Sequence, residues 1–248
     1  MGGKQSTLSL ETRIERAEKL GILTLHGLNL KELPDRIDAI EGKLKELDVS
    51  DNPKLKLSEY PQHAPKWIAL KGLACSGNSV QECGWVCLCP SLERLNLSRN
   101  EIAVIPSSIS NLSRLKVLDL SSNNISLVAH DICLLKKLVT LNLAGNKISE
   151  LPESLGSLSL LEDLHLEANL LTRLPQQLSG LKNIKNIHIS GNKLEDSPNA
   201  IPSSLLLETQ LSSLDIDGNP LREETLAEVK GYDEYCERRK QRLFKKYK

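Results

Sequence analysis

Acidic and imidazole side chains alternate with apolar residues in the C-terminal half of the chain. Asp163, His165 and Glu167 are spaced two residues apart, and a second imidazole, His188, follows 23 residues after the first. This spacing places side chains on one face of a strand, where they could ligate a metal or transfer protons. Either chemistry needs a shielded pocket with oriented partners, and the sequence lacks G-x-x-x-x-G-K, G-x-S-x-G and H-E-x-x-H motifs. We therefore predict no catalytic residue, no metal site and no cofactor.

The same side chains belong to a longer polar set that alternates with leucine and isoleucine. Because residues between inward-facing leucines must point outward, the set should form one exposed face, with the rings of His165 and His188 as neighbours. We predict that this face binds a protein partner, and a merely solvated face is the alternative. Its members are Asp119, Asn142, Asp163, His165, Glu167, His188, Asp215 and Asp217.

The first six residues, MGGKQS, fit the myristoylation signal M-G-x-x-x-[ST], with Gly2 as the acceptor after removal of Met1. A flexible start without function is the alternative. A single myristoyl chain binds membranes only marginally and needs a second signal, for which a polybasic segment suffices.

The C-terminus offers such a segment. Residues 230–248 hold eight basic and three acidic side chains, although the formal net charge of the whole chain is zero. A solvated helix end is the alternative, and the tail lacks the interleaved aromatics of a nucleic-acid binder. The residues predicted to face an anionic membrane are Arg238, Arg239, Lys240, Arg242, Lys245, Lys246 and Lys248.

A group of cysteines lies between residues 75 and 89. Cys83, Cys87 and Cys89 form no C-x-x-C pair and have no histidine nearby, so a metal site is not indicated. Cys75 and Cys89 occupy positions where the other copies of the repeat have leucine. We predict that these cysteines pack in the core, where free cysteine serves as a small apolar residue.

The element that positions all these residues is a repeat. The pattern L-x-x-L-x-L-x-x-N-x-(L/I) occurs regularly between Leu92 and Leu194, with asparagines at positions 100, 123, 146, 169 and 192. A fixed period of just over twenty residues with this sequence pattern indicates leucine-rich repeats. We predict an α/β fold: a monomeric, curved solenoid of about nine repeats, with a parallel sheet on its concave side and a helical cap at each end.

The predicted organisation has three parts: an acylation signal and N-terminal cap (1–19), the repeat array (20–221), and a C-terminal cap helix with the basic tail (222–248). At the first end, Thr12-x-x-Glu15 fits a capping box, and Ile14, Ala17 and Leu20 could share a buried face.

At the second end, Glu223 and Glu224 should open a helix that Gly231 interrupts. After the interruption, Tyr232, Tyr235, Cys236, Leu243 and Tyr247 recur at roughly helical spacing and predict a docking face.

Leu-Pro or Ile-Pro pairs follow the repeated asparagine in several repeats (Ile105-Pro106, Leu151-Pro152 and Leu174-Pro175). These repeats resemble leucine-rich repeats of the Ras-suppressor and Scribble type. The ends, ERAEKLGILTL from Glu15 and GYDEYCER from Gly231, resemble the leucine-rich repeat-containing protein 57 family. That resemblance implies a lipid-anchored, non-catalytic membrane protein and transfers only Gly2 as a functional residue.

The sequence shows no secretory signal and no apolar run of 18 residues, so we expect a cytoplasmic protein held at membranes by its lipid. The predicted function is a non-catalytic scaffold for protein–protein interaction, tethered through Gly2. The alternative is a soluble cytosolic adaptor or regulatory subunit in small-GTPase or phosphatase signalling, without a lipid anchor.

Overall fold

The computed structural model describes residues 9–40, 42–57 and 67–246. Within these residues, nine short parallel strands pair in chain order to form one curved sheet, which confirms the predicted solenoid. The strands are β1 (Ile22–Thr24), β2 (Glu46–Asp48), β3 (Gly72–Ala74), β4 (Arg94–Asn96), β5 (Val117–Asp119), β6 (Thr140–Asn142), β7 (Asp163–His165), β8 (Asn186–His188) and β9 (Ser213–Asp215).

The core is built from residues that repeat in register. The middle residue of every strand is buried and aligns with its counterpart on the next strand, as Leu118 does with Leu141. The residue after each strand from β1 to β9 is also buried, as in Leu120 and Leu143. Stacking therefore removes from water the leucines that a single repeat would leave exposed.

The repeated asparagines tie neighbouring coils together. The side-chain amide of Asn169 donates to the carbonyl of Leu166 in its own repeat and to that of Leu143 in the preceding repeat, at 3.1 and 3.0 Å. Its Oδ1 accepts from the backbone N–H of Ile148 at 3.0 Å. Asn123, Asn146 and Asn192 make the equivalent contacts. Each asparagine thus satisfies backbone groups that lie inside the coil.

The convex side carries single short turns of 3-10 helix, which are compact enough to follow one another at the strand spacing. The ranges are 35–40, 84–88, 107–111, 130–134, 153–157 and 176–180. In the eighth repeat a short α-helix, α2 (Ser203–Glu208), takes this place. The wider asparagine spacing there comes from the segment before the helix, since α2 begins 11 residues after Asn192 and the turn of the preceding repeat begins seven residues after Asn169.

Helix α1 (Leu10–Leu20) covers the open end of the first coil with Ile14 and Ala17 buried, as predicted. The predicted capping box is wrong, however. Ser9 is the N-cap, and its hydroxyl accepts from the N–H of Thr12 at 3.2 Å. Leu20 also departs from the prediction because it is 64% exposed. Position 20 is the last residue of the helix, beyond the turn that contacts the core.

At the other end, residues 228–231 separate α3 (Glu223–Ala227) from α4 (Tyr232–Lys246). Gly231, just before α4, has a φ of 97°, a conformation that favours glycine. The buried Tyr235 packs against the last coil, where its hydroxyl accepts from the N–H of Leu214 at 3.1 Å. Tyr232 and Cys236 are partly buried beside it. The predicted docking face stops there, because Leu243 is 50% exposed.

The segments before and after β3 each contribute one tryptophan to the core. Trp67 and Trp85 are buried, with ring centroids 6.4 Å apart and an edge-to-face angle of 75°. Trp67 lies five residues before its strand, a position that leucine occupies in the regular repeats, as Leu112 does before β5. Gly2, Tyr247 and Lys248 lie outside the described residues.

Candidate functional site

The concave face is formed by the side chains that alternate with the core leucines. We call outward positions the first and third residues of each strand and the residue two positions after the strand; on β7 these are Asp163, His165 and Glu167. Most flanking strand residues are half-buried while the middle residue is buried, because the side chains of a strand alternate between faces.

All eight residues predicted to bind a partner occupy outward positions of β5–β9. Asp119, Asn142, His165, His188 and Asp215 follow one another in register at the third strand position. Asp163 is at the first position of β7, and Glu167 and Asp217 are two residues beyond their strands. The structure therefore brings the predicted set together on one surface.

Several of these side chains also have a local structural role that the sequence analysis missed. The Oδ1 atoms of Asp119, Asn142 and Asp215 accept from the N–H two residues ahead at 2.9, 3.1 and 3.1 Å. Such bonds stabilise the turn after a strand. The recurrence of Asp and Asn at this position has a structural cause, whereas His165 and His188 depart from it.

The two imidazoles stack on each other. Their ring centroids are 4.4 Å apart and their planes differ by 4°, because the residues are paired on adjacent strands. The Nδ1 atom of His165 lies 3.3 Å from Oε1 of Glu167. One ligand atom from each of His165, Glu167 and His188 falls within 4.8 Å of the others, so the three groups form a compact cluster.

Two ion pairs that were not predicted from the sequence offset much of the charge on the N-terminal half of the concave face. Arg94 pairs with Glu46 and Arg99 pairs with Asp51, each across the intervening repeat. Gly72 leaves room for the first pair, since a Cβ there would lie 1.8 Å from Oε2 of Glu46. The sequence does contain a sign of these pairs: in each, the arginine occupies the same repeat position as the acid but two repeats later.

The outward positions of β5–β9, all of which the structure describes, are more acidic than the N-terminal half of the concave face. They carry the carboxylates of Asp119, Asp163, Glu167, Asp215 and Asp217 and no lysine or arginine. The guanidinium of Arg242 reaches the edge of this surface from α4 and donates to Oδ1 of Asn186. The concave face is therefore paired at one end and acidic at the other.

The cysteines near residue 80 lie in the core, as predicted. Cys75, Cys83, Cys87 and Cys89 are buried. Desolvation raises the pKa of the Cys83 and Cys89 thiols to about 12, so both remain protonated and unreactive at neutral pH.

The basic residues at the C-terminus have different surroundings. Arg238 is half-buried and donates to the carbonyls of Leu211, at 2.9 Å, and Leu206, which fastens α4 to the end of α2. Arg239 and Lys245 are exposed, as is Lys240, which pairs with Glu237 at 2.7 Å. Lys246 ends α4, and its side chain, like Lys248, is outside the described part of the chain.

Apolar side chains are exposed beside these cations. Phe244 is 74% exposed, next to the half-exposed Leu243. No helix within the described residues is long and apolar enough to cross a membrane.

Comparison with known proteins agrees with this architecture. The family model described as "Leucine-rich repeat region" matches residues 68–243. Plant intracellular Ras-group-related LRR protein 8 from Oryza sativa subsp. japonica is 29% identical over 123 residues, which are 48% of this chain and 32% of the rice protein. The chain thus spans about a third of the length of that relative.

Solved structures show the same fold. An LRR protein from Leptospira interrogans aligns with a TM-score of 0.71 and 26% identity, over 85% of this chain and 58% of that one. The LRR ectodomain of the Arabidopsis thaliana receptor kinase GASSHO1/SCHENGEN3, in complex with CASPARIAN STRIP INTEGRITY FACTOR 2, aligns with a TM-score of 0.57 and 21% identity. That alignment covers 76% of this chain and 28% of the ectodomain.

Proposed function

This chain belongs to the leucine-rich repeat family, and from that premise we propose that it is a non-catalytic scaffold whose concave face binds a protein partner. The partner contacts the acidic surface on β5–β9 with a basic segment. The observation that carries this proposal is the set of five carboxylates at outward positions of these described strands, without a lysine or arginine among them.

Charge complementarity favours a basic partner. Carboxylates on a rigid sheet hold their positions before binding, so little conformational entropy is lost when a partner docks. An unbalanced patch of one sign also accelerates encounter with a partner of opposite sign and disfavours acidic ones. The paired N-terminal half lacks this imbalance, which limits the proposed surface to β5–β9.

The test is a variant that removes charge and keeps shape. Asp119→Asn, Asp215→Asn and Glu167→Gln retain an acceptor oxygen at each position, including the turn-stabilising bonds of both aspartates. The control neutralises Glu150 and Glu153, which are exposed and lie outside the sheet.

Partners are recovered from cells by crosslinking and quantified by mass spectrometry. We expect the concave variant to lose proteins that wild type and control both capture, and the capture to weaken as salt increases. Equal recovery by all three proteins would contradict the proposal.

For the location of the scaffold we propose attachment to the cytoplasmic face of a membrane, through a myristoyl group on Gly2 and the basic end of α4. The likeness of the chain ends to the leucine-rich repeat-containing protein 57 family supports this proposal. The exposed Phe244 beside Arg239, Lys240 and Lys245 supports it as well, because apolar and basic side chains together bind anionic lipid surfaces. Each basic residue near such a surface contributes about 1 kcal/mol.

Two measurements separate the contributions of the lipid and the helix. The intact mass after expression in a eukaryotic cytosol should show loss of Met1 and gain of one myristoyl group, and Gly2→Ala should abolish the gain. Co-sedimentation with phosphatidylserine vesicles should then fall for Phe244→Ala and for joint replacement of Arg239, Lys240 and Lys245 by glutamine. An unmodified mass would refute the anchor, and unchanged co-sedimentation would refute the role of α4.

A soluble adaptor or regulatory subunit in small-GTPase or phosphatase signalling is the second candidate. The rice relative, whose description includes "Ras-group-related", supports it. An unacylated protein that associates with a small GTPase would favour this candidate over the tethered scaffold.

A further inference from the structure

We propose that His165, Glu167 and His188 form a binding site for zinc on the concave face. The proposal rests on the side-chain geometry and not on the partner-binding function. Two imidazoles and one carboxylate are a ligand set that zinc accepts, and a water molecule completes the coordination in sites with three protein ligands. Magnesium and calcium prefer oxygen ligands alone, so the two imidazoles disfavour both.

The distances are close to those that zinc requires. Bonds of about 2.0–2.1 Å in a tetrahedron place two ligand atoms roughly 3.4 Å apart. Nδ1 of His165 and Oε1 of Glu167 are already 3.3 Å apart, and all three ligand atoms lie within 4.8 Å of one another. Rotation of the side chains must therefore shorten the widest of these separations by up to about 1.4 Å.

The imidazole rings must also turn. A metal bonds to the lone pair in the plane of an imidazole, whereas the two rings lie parallel at 4.4 Å. Binding therefore tilts at least one ring out of the stack. The terminal torsion of histidine is broad, and both side chains are only half-buried, so this movement meets little resistance.

An unpartnered carboxylate oxygen is a second, independent observation. Oε2 of Glu167 is shielded from solvent and has no hydrogen-bond partner among the described residues. A shielded charged oxygen without a partner is unfavourable, and an unobserved ion is one of the recognised explanations for such a group. A cation held by the three side chains would neutralise this carboxylate, whichever of its oxygens is the ligand.

The departure from the repeat pattern is a third observation. On β5, β6 and β9 the third strand residue is Asp or Asn and accepts a hydrogen bond from the backbone of the following turn. His165 and His188 replace this residue on the two adjacent strands β7 and β8. The third residue also departs from Asp or Asn on β1 and β3, which have Thr24 and Ala74, but only β7 and β8 place imidazoles there, and on adjacent strands.

Isothermal titration calorimetry with ZnCl2 tests the site on the full chain, in buffer containing a non-thiol reductant. We expect one zinc ion per chain. His165→Ala, His188→Ala and Glu167→Gln should each weaken the affinity by more than the roughly 10–100-fold that loss of an outer-shell partner costs. MgCl2 should give no heat of binding.

The matched control is His26→Ala. His26 is an exposed concave histidine whose Nε2 lies 3.4 Å from a carboxylate oxygen of Asp51, but no second imidazole joins that pair within the described residues. This variant should bind zinc like wild type. The absence of zinc binding, or an unchanged affinity in the three cluster variants, would overturn the proposal.

Cobalt gives a second readout that does not depend on stability. Four-coordinate Co2+ bound by wild type should show visible absorption of tetrahedral type, and Glu167→Gln should lose it. A six-coordinate spectrum would overturn the proposed tetrahedral site. Circular dichroism of every variant at the titration temperature confirms that each protein is folded.

Discussion

Replacement of Asn169 by alanine tests whether the amide ladder holds the coils together. The side chain of Asn169 is 3% exposed. It donates to the carbonyls of Leu143, Leu166 and Glu167 at 3.0, 3.1 and 3.2 Å and accepts from the N–H of Ile148 at 3.0 Å. Alanine removes all four bonds and leaves the leucine core in place.

The magnitude depends on which backbone groups lose their last partner. The carbonyls of Leu143 and Leu166 keep bonds from Asn146 and Asn192, at 2.9 and 2.8 Å, and that of Glu167 keeps the N–H of Gly145 at 2.7 Å. The N–H of Ile148 loses its partner inside the coil. An orphaned buried donor costs about 1–3 kcal/mol and an ordinary bond about 1 kcal/mol net, so we expect about 2–4 kcal/mol of destabilisation.

The assay is urea unfolding followed by far-ultraviolet circular dichroism and by tryptophan fluorescence. Trp67 and Trp85 report the N-terminal repeats, so agreement of the two probes tests whether the array unfolds as one unit. With a denaturant dependence of roughly 3 kcal/mol per molar urea, the midpoint should fall by about 1 M.

The control is Asn124→Ala, at an exposed asparagine one residue after the ladder position of its repeat, which should change stability by less than about 0.5 kcal/mol. If Asn169→Ala unfolded at the wild-type midpoint, the asparagine ladder would not stabilise the array.

Three further predictions concern packing and reactivity. Gly156→Ala should lower the free energy of unfolding, measured by urea denaturation, by about 1–3 kcal/mol or more. Its Cβ would lie 1.8 Å from a backbone oxygen of the next repeat. Gly84→Ala, with nothing within 4 Å, should not destabilise the protein. In the native protein, only the half-buried Cys236 should react rapidly with an aromatic disulfide. The other five cysteines are buried and should react only in urea. Rapid modification of native Cys236→Ser protein would contradict this prediction. Tyr235→Phe should lower the stability of the C-terminal cap by about 1–3 kcal/mol, because the N–H of Leu214 loses its acceptor, and hydrogen exchange of that amide measures the effect.

The ends of the array show where sequence reasoning was less successful. Helical spacing of apolar residues predicted α1 with Ile14 and Ala17 buried, yet the N-cap is Ser9 and not Thr12. Both residues are good N-caps, and packing on the first coil decides which one begins the helix. Likewise, helical spacing placed Leu243 with Tyr235, although α4 extends past the last coil and leaves Leu243 exposed. Periodicity indicates a face but not how far the neighbouring surface extends.

The sequence by itself determined the solenoid, the order of the strands and the membership of the concave face. In a repeat protein each unit contacts mainly its neighbours, so a period of 23 residues nearly specifies the fold. Only the tertiary structure decided which of these side chains meet. The pairing of Arg94 with Glu46 and the use of Arg238 to hold α2 depend on distances between coils. So does the stacking of the His165 and His188 rings, which the sequence predicted only as neighbours. Those distances are set by the packing of the whole core, and no local pattern records them.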